Sequence, residues 1–179
     1  AVTGVQTCAL PISNNKRKFS YMKCAVLGFG NPVRGDDAIG CVIIENLKKE
    51  FPENEKLSFF DMGTNGFEIL FALKGHTKII VVDAVNGEPK QLGEIYKVPA
   101  DELLKAPEND PMLFLHGMKW NQGLSYAKKI MGDEYPKDIN AFLISITNTS
   151  IIEKMNPEVV ISGDKVVEII KNEILEWLN

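Results

Sequence analysis

The chain has 179 residues, of which 45% are hydrophobic and 25% are charged, and its formal net charge is −4. This length allows one domain with a sizeable core, and the negative charge argues against nucleic-acid binding, which usually requires a basic face. No apolar run approaches the roughly 20 residues needed to cross a bilayer.

The first residues differ in character from the rest of the chain. Ala1–Ser13 has neither the basic n-region nor the apolar h-region of a signal peptide, and it resembles the translation of a sequencing-library adapter read in frame. We therefore predict that residues 1–21 are a non-native or disordered leader and that Met22 is the native start. Residues 22–179 are predicted to form a single domain.

From Met22 onward, short apolar runs alternate with amphipathic stretches. The strands at the centre of the pattern have continuous apolar residues, which is typical of strands buried on both faces. The predicted elements, in chain order, are a strand at Lys23–Leu27, a glycine-rich turn at Gly28–Gly35, a helix with apolar positions Ile39, Val42, Ile43 and Leu47, a strand at Leu57–Asp61, a helix near Gly66–Leu73, a strand at Lys78–Val82, an edge strand at Gly93–Val98, a short helix at Pro99–Leu104, a loop at Ala106–Met118, a helix at Asn121–Met131, a strand at Ile139–Thr147 and a last helix from Ser162 towards Leu178.

Strands separated by helices indicate right-handed crossover connections. The fold class is therefore predicted to be α/β, a single three-layer domain with a mostly parallel twisted sheet of about five strands and helices on both faces. In such sheets, ligands bind outside the carboxyl ends of the strands. Residues that directly follow a buried strand are thus the first candidates for a functional site.

The three cysteines, at positions 8, 24 and 41, form neither a disulfide framework nor a CxxC metal pair. Cys24 lies in an apolar strand-like run and Cys41 in a helix-like one, so both are predicted to be buried free thiols. This cysteine usage fits a reducing, cytoplasmic compartment.

Three positions carry residues capable of metal chemistry. Asp37 ends the glycine-rich turn, Asp83 follows four consecutive aliphatic residues, and His116 lies in a long loop expected to return over the sheet. Two carboxylates and one imidazole form a ligand set that suits nickel or zinc with coordination positions left open.

Each of these residues also has an ordinary structural explanation. Asp37 could be an acidic residue favoured by the helix dipole in a first turn, Asp83 could cap the loop after its strand, and His116 could be a solvated loop residue. Spacing alone leaves these alternatives open. Asp36 is interpreted as the cap of the following helix, and His76 as a surface residue in a helix-to-strand turn.

The glycine-rich turn also invites a dinucleotide-binding interpretation. That fingerprint requires G-x-G-x-x-G, and Gly28 and Gly30 fit it, whereas the third position is Val33. Asp36 and Asp37 would repel a pyrophosphate at the helix N-terminus, although Asp61 at the end of the second strand could contact a ribose. A nucleotide-binding α/β domain is therefore the weaker alternative.

The sequence resembles the hydrogenase maturation proteases, which trim the C-terminal peptide from the large subunit of a nickel–iron hydrogenase. The resemblance covers nearly all of residues 22–179. It is carried by VLGFGNPVRGDDAIG at Val26–Gly40, DMGTNGFEIL at Asp61–Leu70, IIVVDAV at Ile79–Val85, His116 and MNPEV at Met155–Val159.

The resemblance implies that Asp37, Asp83 and His116 are the metal ligands and the catalytic centre of a metal-dependent endopeptidase. It implies that nickel is supplied by the large-subunit precursor, which would be the partner of this protein. It also implies that the protein is a cytoplasmic monomer with no nucleic-acid or membrane partner. Many members have Glu where this chain has Asp37, and Asn156 replaces a family Ser. A non-catalytic partner that checks the nickel of the precursor would use the same ligands and is the alternative from another functional class.

The remaining family segments suggest supporting roles. Asp61 could be a group behind the ligands or a base, with structural capping as the alternative. Gly63, Thr64 and Gly66 are expected to let substrate backbone approach closely, and Val160–Asp164 is interpreted as an insertion relative to the family.

Overall fold

The computed structural model describes residues 22–52, 54–86, 91–104, 118–147, 149–151 and 154–178. Within these ranges five strands form one sheet in the order β2-β1-β3-β5-β4, in which β4 alone is antiparallel to its neighbour. The strands are β1 at Cys24–Phe29, β2 at Leu57–Gly63, β3 at Lys78–Val85, β4 at Ile95–Pro99 and β5 at Asp138–Ser145.

Helices cover both faces of the sheet, which confirms the predicted three-layer α/β architecture. The first and last helices pack in one hydrophobic cluster, and the two middle helices pack in a second cluster on the opposite face. The α-helices in the described part of the chain are α1 at Ile39–Glu50, α2 at Ile69–Leu73, α3 at Trp120–Met131 and α4 at Pro157–Leu178, with 3-10 segments at Gly35–Ala38, Gly66–Glu68, Ala100–Leu103 and Gly132–Glu134.

The strands with continuous apolar residues are buried, as predicted. Every residue of β1 is buried, because helices lie on both faces of this strand and β2 and β3 flank it. Cys24 and Cys41 are buried free thiols, as expected.

Two of the differences between the predicted and observed element boundaries bear on the site. The last helix begins at Pro157 and not near Ser162, since the carbonyl of Asn156 already accepts hydrogen bonds from the N–H groups of Val159 and Val160. Proline is favoured at a first helical position because it has no N–H to leave unpaired. The 160–164 segment is therefore helix interior. The third strand continues to Val85, so Asp83 lies within β3 and not after it.

No helix in the described ranges is long and apolar enough to cross a membrane. The predicted leader, residues 1–21, lies outside the residues that the structure describes, so the leader and the domain boundary at Met22 stay predictions.

Candidate functional site

A cleft of about 540 Å³ opens at the carboxyl ends of β1 and β3. This is the edge of the sheet at which a ligand site was expected. The residues lining the cleft come from the turns after β1 and β2, the end of β3, the 3-10 segment after β4, the start of α3 and β5: Phe29, Gly30, Asp37, Gly63, Thr64, Asp83, Ala84, Val85, Asn86, Leu103, Lys119, Trp120, Asn121 and Leu143.

Close backbone packing brings Asp37 to this cleft. A Cβ on Gly40 would lie 2.0 Å from the carbonyl oxygen of Phe29 and 2.7 Å from that of Val82, so α1 can contact β1 and β3 only because position 40 is glycine. Gly30 adopts φ +148°, and a Cβ there would lie 2.0 Å from the carbonyl oxygen of Asp37. The turn therefore folds tightly back on itself, and the N–H of Asn31 donates to Asp37 Oδ2 at 3.2 Å.

Asp83 enters the cleft from β3 with both carboxyl oxygens engaged. Oδ1 accepts a hydrogen bond from the N–H of Ala84 at 2.8 Å, and Oδ2 accepts one from Nε1 of Trp120 at 2.7 Å. Burial raises the pKa of the Asp83 carboxyl to about 6 and the negative charge of Asp37 adds to the rise, while those two hydrogen bonds and Lys119 oppose it. Two carboxyl groups thus share one partly desolvated cleft.

His116, the third predicted ligand, lies outside the described residues. Among the residues that the structure describes, no group of three His, Cys, Asp or Glu side chains is arranged to hold a metal ion. The structure therefore brings together Asp37 and Asp83, and the ligand set stays a prediction.

Asp36 does not cap the helix that follows it, so that interpretation was wrong. The N-cap positions of the 3-10 segment and of α1 are Arg34 and Ala38, and neither makes a side-chain capping bond. Asp36 is instead fully buried, and it accepts hydrogen bonds from the backbone N–H of Asn156 at 2.6 Å and from Nδ2 of Asn156 at 2.7 Å. It joins the turn to the start of α4.

Asp61 closes the turn at the end of β2, where its Oδ1 accepts a hydrogen bond from the N–H of Gly63 at 3.1 Å. The Cys41 thiol donates to the carbonyl oxygen of Gly30 at 3.5 Å and lies beside the Asp61 carboxyl. Burial, followed by that contact with Asp61, raises the pKa of the thiol to about 12. These contacts agree with the structural-capping alternative for Asp61.

Two other predictions about residues near the turns can be compared with the structure. Gly63 and Thr64 line the cleft, whereas Gly66 packs against α3, since a Cβ there would lie 2.2 Å from the carbonyl oxygen of Met118. His76 is half-buried and not a surface residue. Its Nε2 lies 3.4 Å from Ser58 Oγ, and burial lowers its pKa.

Sequence reasoning missed three cleft residues at the start of α3, namely Lys119, Trp120 and Asn121. Asn121 Oδ1 is buried without a hydrogen-bond partner in the described ranges, while its Nδ2 donates to the carbonyl of Leu103 at 3.2 Å. The available signal was the helix start itself, because a helix that follows a crossover loop can present its first residues to the ligand edge of the sheet.

Relatives of this chain were found by sequence and by structure. A putative hydrogenase maturation protease of Methanocaldococcus jannaschii is 37% identical over 81 residues, which are 44% of this chain and 51% of the relative. The chain thus spans about half the length of that relative. The Hydrogenase 2 maturation protease of Escherichia coli is 29% identical over 122 residues, covering 66% of this chain and 70% of the relative.

Solved structures of similar proteins share the fold. The hydrogenase maturating endopeptidase HybD of Escherichia coli superimposes with a TM-score of 0.71 at 21% identity, covering 87% of this chain and 93% of that one. The nickel–iron hydrogenase maturation protease HycI of Thermococcus kodakarensis gives a TM-score of 0.62 at 22% identity, covering 83% of this chain and 90% of that one.

A family model also matches the chain. The model described as HycI: Hydrogenase maturation protease matches residues 41–173, which is more than half of the chain. The chain therefore belongs to the hydrogenase maturation protease family, as the sequence motifs had suggested.

Proposed function

We propose that this chain is a metal-dependent endopeptidase that removes the C-terminal peptide from the nickel-loaded large-subunit precursor of a nickel–iron hydrogenase. Asp37, Asp83 and His116 are its proposed metal ligands. The single observation that carries the proposal is that the carboxyl groups of Asp37 and Asp83 share one cleft at the ligand edge of the sheet. Family membership supports the reaction class.

The donor set suits a divalent cation. Two carboxyl groups in a partly desolvated cleft repel one another, which contributes to the raised pKa of Asp83. A cation bound between them would relieve this repulsion, and an imidazole from His116 would complete a set suited to nickel. When bound, the metal would supply Lewis-acid activation of the scissile carbonyl or of a water molecule.

The protein's own residues hold and orient the substrate in this proposal. Leu103 and Leu143 give the cleft apolar walls, and Asn86 and Asn121 add side-chain amides that can hydrogen-bond a peptide backbone. A cavity of about 540 Å³ accommodates a short extended peptide segment. The fixed carboxyl of Asp83 would thereby meet the metal carried by the precursor.

The test is incubation of the purified chain with its nickel-loaded precursor, followed by mass spectrometry of the large subunit. We expect loss of a C-terminal peptide, and we expect His116→Ala and Asp83→Asn each to slow cleavage about 100-fold or more, because removing a ligand should cost at least as much as removing an outer-shell partner. His76→Ala is the matched control, since it removes the other histidine of the chain and should leave cleavage unchanged.

Two results would refute the assignment. One is a precursor that keeps its full mass with the wild-type chain, and the other is undiminished cleavage by His116→Ala. Stable binding of the nickel-loaded precursor without truncation would favour the non-catalytic partner instead. Tight binding of a dinucleotide with no metal dependence would favour the nucleotide-binding alternative.

A further inference from the structure

Trp120, the first residue of α3, makes a polar contact with one of the two carboxyl groups of the cleft. Its indole Nε1 donates to Asp83 Oδ2 at 2.7 Å, although only 8% of the residue is exposed. The ring also packs against Phe29, with 6.3 Å between ring centroids. A buried indole N–H usually has a hydrogen-bond partner, and for Trp120 that partner is a carboxyl group in the cleft.

The position of this indole is set by the backbone around it. The N–H of Gly66 donates to the carbonyl of Met118 at 2.9 Å. A Cβ on Gly66 would lie 2.6 Å from the backbone nitrogen of Trp120, so the start of α3 is in direct contact with the turn after β2. Because the backbone of Trp120 is packed against this turn, its indole is held in a fixed position relative to Asp83.

The other oxygen of Asp83 is held by the backbone. The backbone N–H of Ala84 donates to Oδ1, while Trp120 donates to Oδ2. Two donors on different oxygens restrict rotation of the carboxyl group. Each carboxylate oxygen has a further lone pair, so hydrogen bonding by these donors is compatible with metal ligation.

We propose that Trp120 is a positioning residue for metal binding, whose indole N–H holds the Asp83 carboxylate in the orientation that ligates the ion. This inference rests on the proposed function, because it assumes that Asp83 is a ligand. Outer-shell hydrogen bonds of this kind typically change metal affinity by 10- to 100-fold. The expected effect on Ni²⁺ binding lies in that range.

The experiment is calorimetric titration of the metal-free protein with Ni²⁺ alone. Trp120→Phe removes the N–H and keeps an aromatic ring, and we expect its Kd for Ni²⁺ to rise 10- to 100-fold. Trp177→Phe is the matched control, because Trp177 lines a separate groove with Lys78, Lys97 and Glu173. The control should keep the wild-type affinity.

Fluorescence gives a second readout, which tests whether the ion binds beside Trp120. In Trp177→Phe the remaining tryptophan is Trp120, and Ni²⁺ should quench its emission with the same Kd as the calorimetric titration. In Trp120→Phe the remaining emission from Trp177 should not change at those concentrations.

The outcomes separate the two proposals. If the wild-type protein does not bind Ni²⁺, the role of Trp120 in metal binding fails, whereas the proposed cleavage is decided separately by the mass of the precursor. If the wild type binds and Trp120→Phe binds within twofold of it, only the role of Trp120 fails.

An NMR measurement on the wild-type chain covers the case in which Trp120→Phe does not fold. With Zn²⁺ as a diamagnetic probe, the indole N–H signal of Trp120 should stay protected from solvent exchange in the bound state. Loss of that protection on metal binding would show that the bond to Asp83 breaks, which would overturn the proposal.

Discussion

Exchanging the side chains of Asp36 and Asn156 is the sharpest test of how the turn that carries Asp37 is held. Asp36 is fully buried, and its two oxygens accept hydrogen bonds of 2.6 and 2.7 Å from the backbone N–H and the side-chain amide of Asn156. Asp36→Asn removes the charge on the acceptor of both bonds, and a turned-over Asn156 amide restores only a neutral bond. Asn156→Asp places two carboxyl groups opposite each other. Each single substitution therefore weakens the contact, and Asn156→Asp also makes it repulsive.

The magnitude follows from the bonds involved. A hydrogen bond to a charged group contributes about 1.5–3 kcal/mol, and a buried group left unpaired adds a penalty of similar size. We expect each single variant to lose about 2–4 kcal/mol of unfolding free energy, which is a large part of the about 5–15 kcal/mol available to a domain. In a domain of this size that loss lowers Tm by roughly 4–16 °C.

The double variant Asp36→Asn with Asn156→Asp should recover most of this loss. The amide introduced at position 36 can accept the backbone N–H of residue 156 through its oxygen and donate its NH₂ to the carboxyl introduced there. The new carboxyl also lies at the N-terminus of α4, where negative charge is favoured. The assay is urea unfolding of the four proteins, analysed as a double-mutant cycle. Additive losses in the double variant would refute the reasoning, because they would show that the two side chains act independently.

Two further predictions concern the cleft and its packing. Burial raises the pKa of Asp83 to about 6. The stability that the protonated carboxyl contributes is fully present below about pH 4 and is lost as pH rises through about 6. With chelator present, the Tm of Asp83→Asn relative to wild type should therefore be higher at pH 7.5 than at pH 4.5, by the equivalent of about 2 kcal/mol of unfolding free energy, and a pH-independent difference would contradict the raised pKa. Gly40→Ala should abolish the stable fold, because the added Cβ would lie 2.0 and 2.7 Å from two carbonyl oxygens. In Gly163→Ala the added Cβ meets only the flexible end of Ile39, so its stability by thermal unfolding should stay within about 1 kcal/mol of wild type. Comparable losses for both glycines would contradict the packing argument.

Local sequence patterns were sufficient to predict the core of the fold. The apolar runs of β1 and β3 are continuous, and a strand buried on both faces produces that pattern without reference to any distant residue. The same logic correctly directed attention to the carboxyl edge of the sheet, where Asp37 and Asp83 share a cleft. The start of α4 was misplaced because Ser162 is a good capping residue by type, whereas Asn156 followed by Pro157 is the stronger start signal.

The contacts that the sequence could not predict join residues that are far apart along the chain. The bond between Asp36 and Asn156 spans 120 positions, and that between Asp83 and Trp120 spans 37. Nothing in the local pattern around Asp36 distinguishes a buried acceptor from a helix cap, since both favour an acidic residue in a first turn. Only the packing of α4 against α1 gives Asp36 its partner.

Asp36 and Asp37 are neighbours in the turn but have different roles, because their side chains point in different directions. In a 3-10 segment there are about three residues per turn, so consecutive side chains point roughly 120° apart. Asp36 points towards Asn156 and is fully buried, whereas Asp37 points into the cleft. The open cleft leaves room for a longer side chain at position 37. At position 36, a longer side chain would distort the hydrogen bonds of 2.6 and 2.7 Å to the start of α4. Asp36 thus fixes the turn, and because this attachment is rigid, the Asp37 side chain is held at a defined place in the cleft.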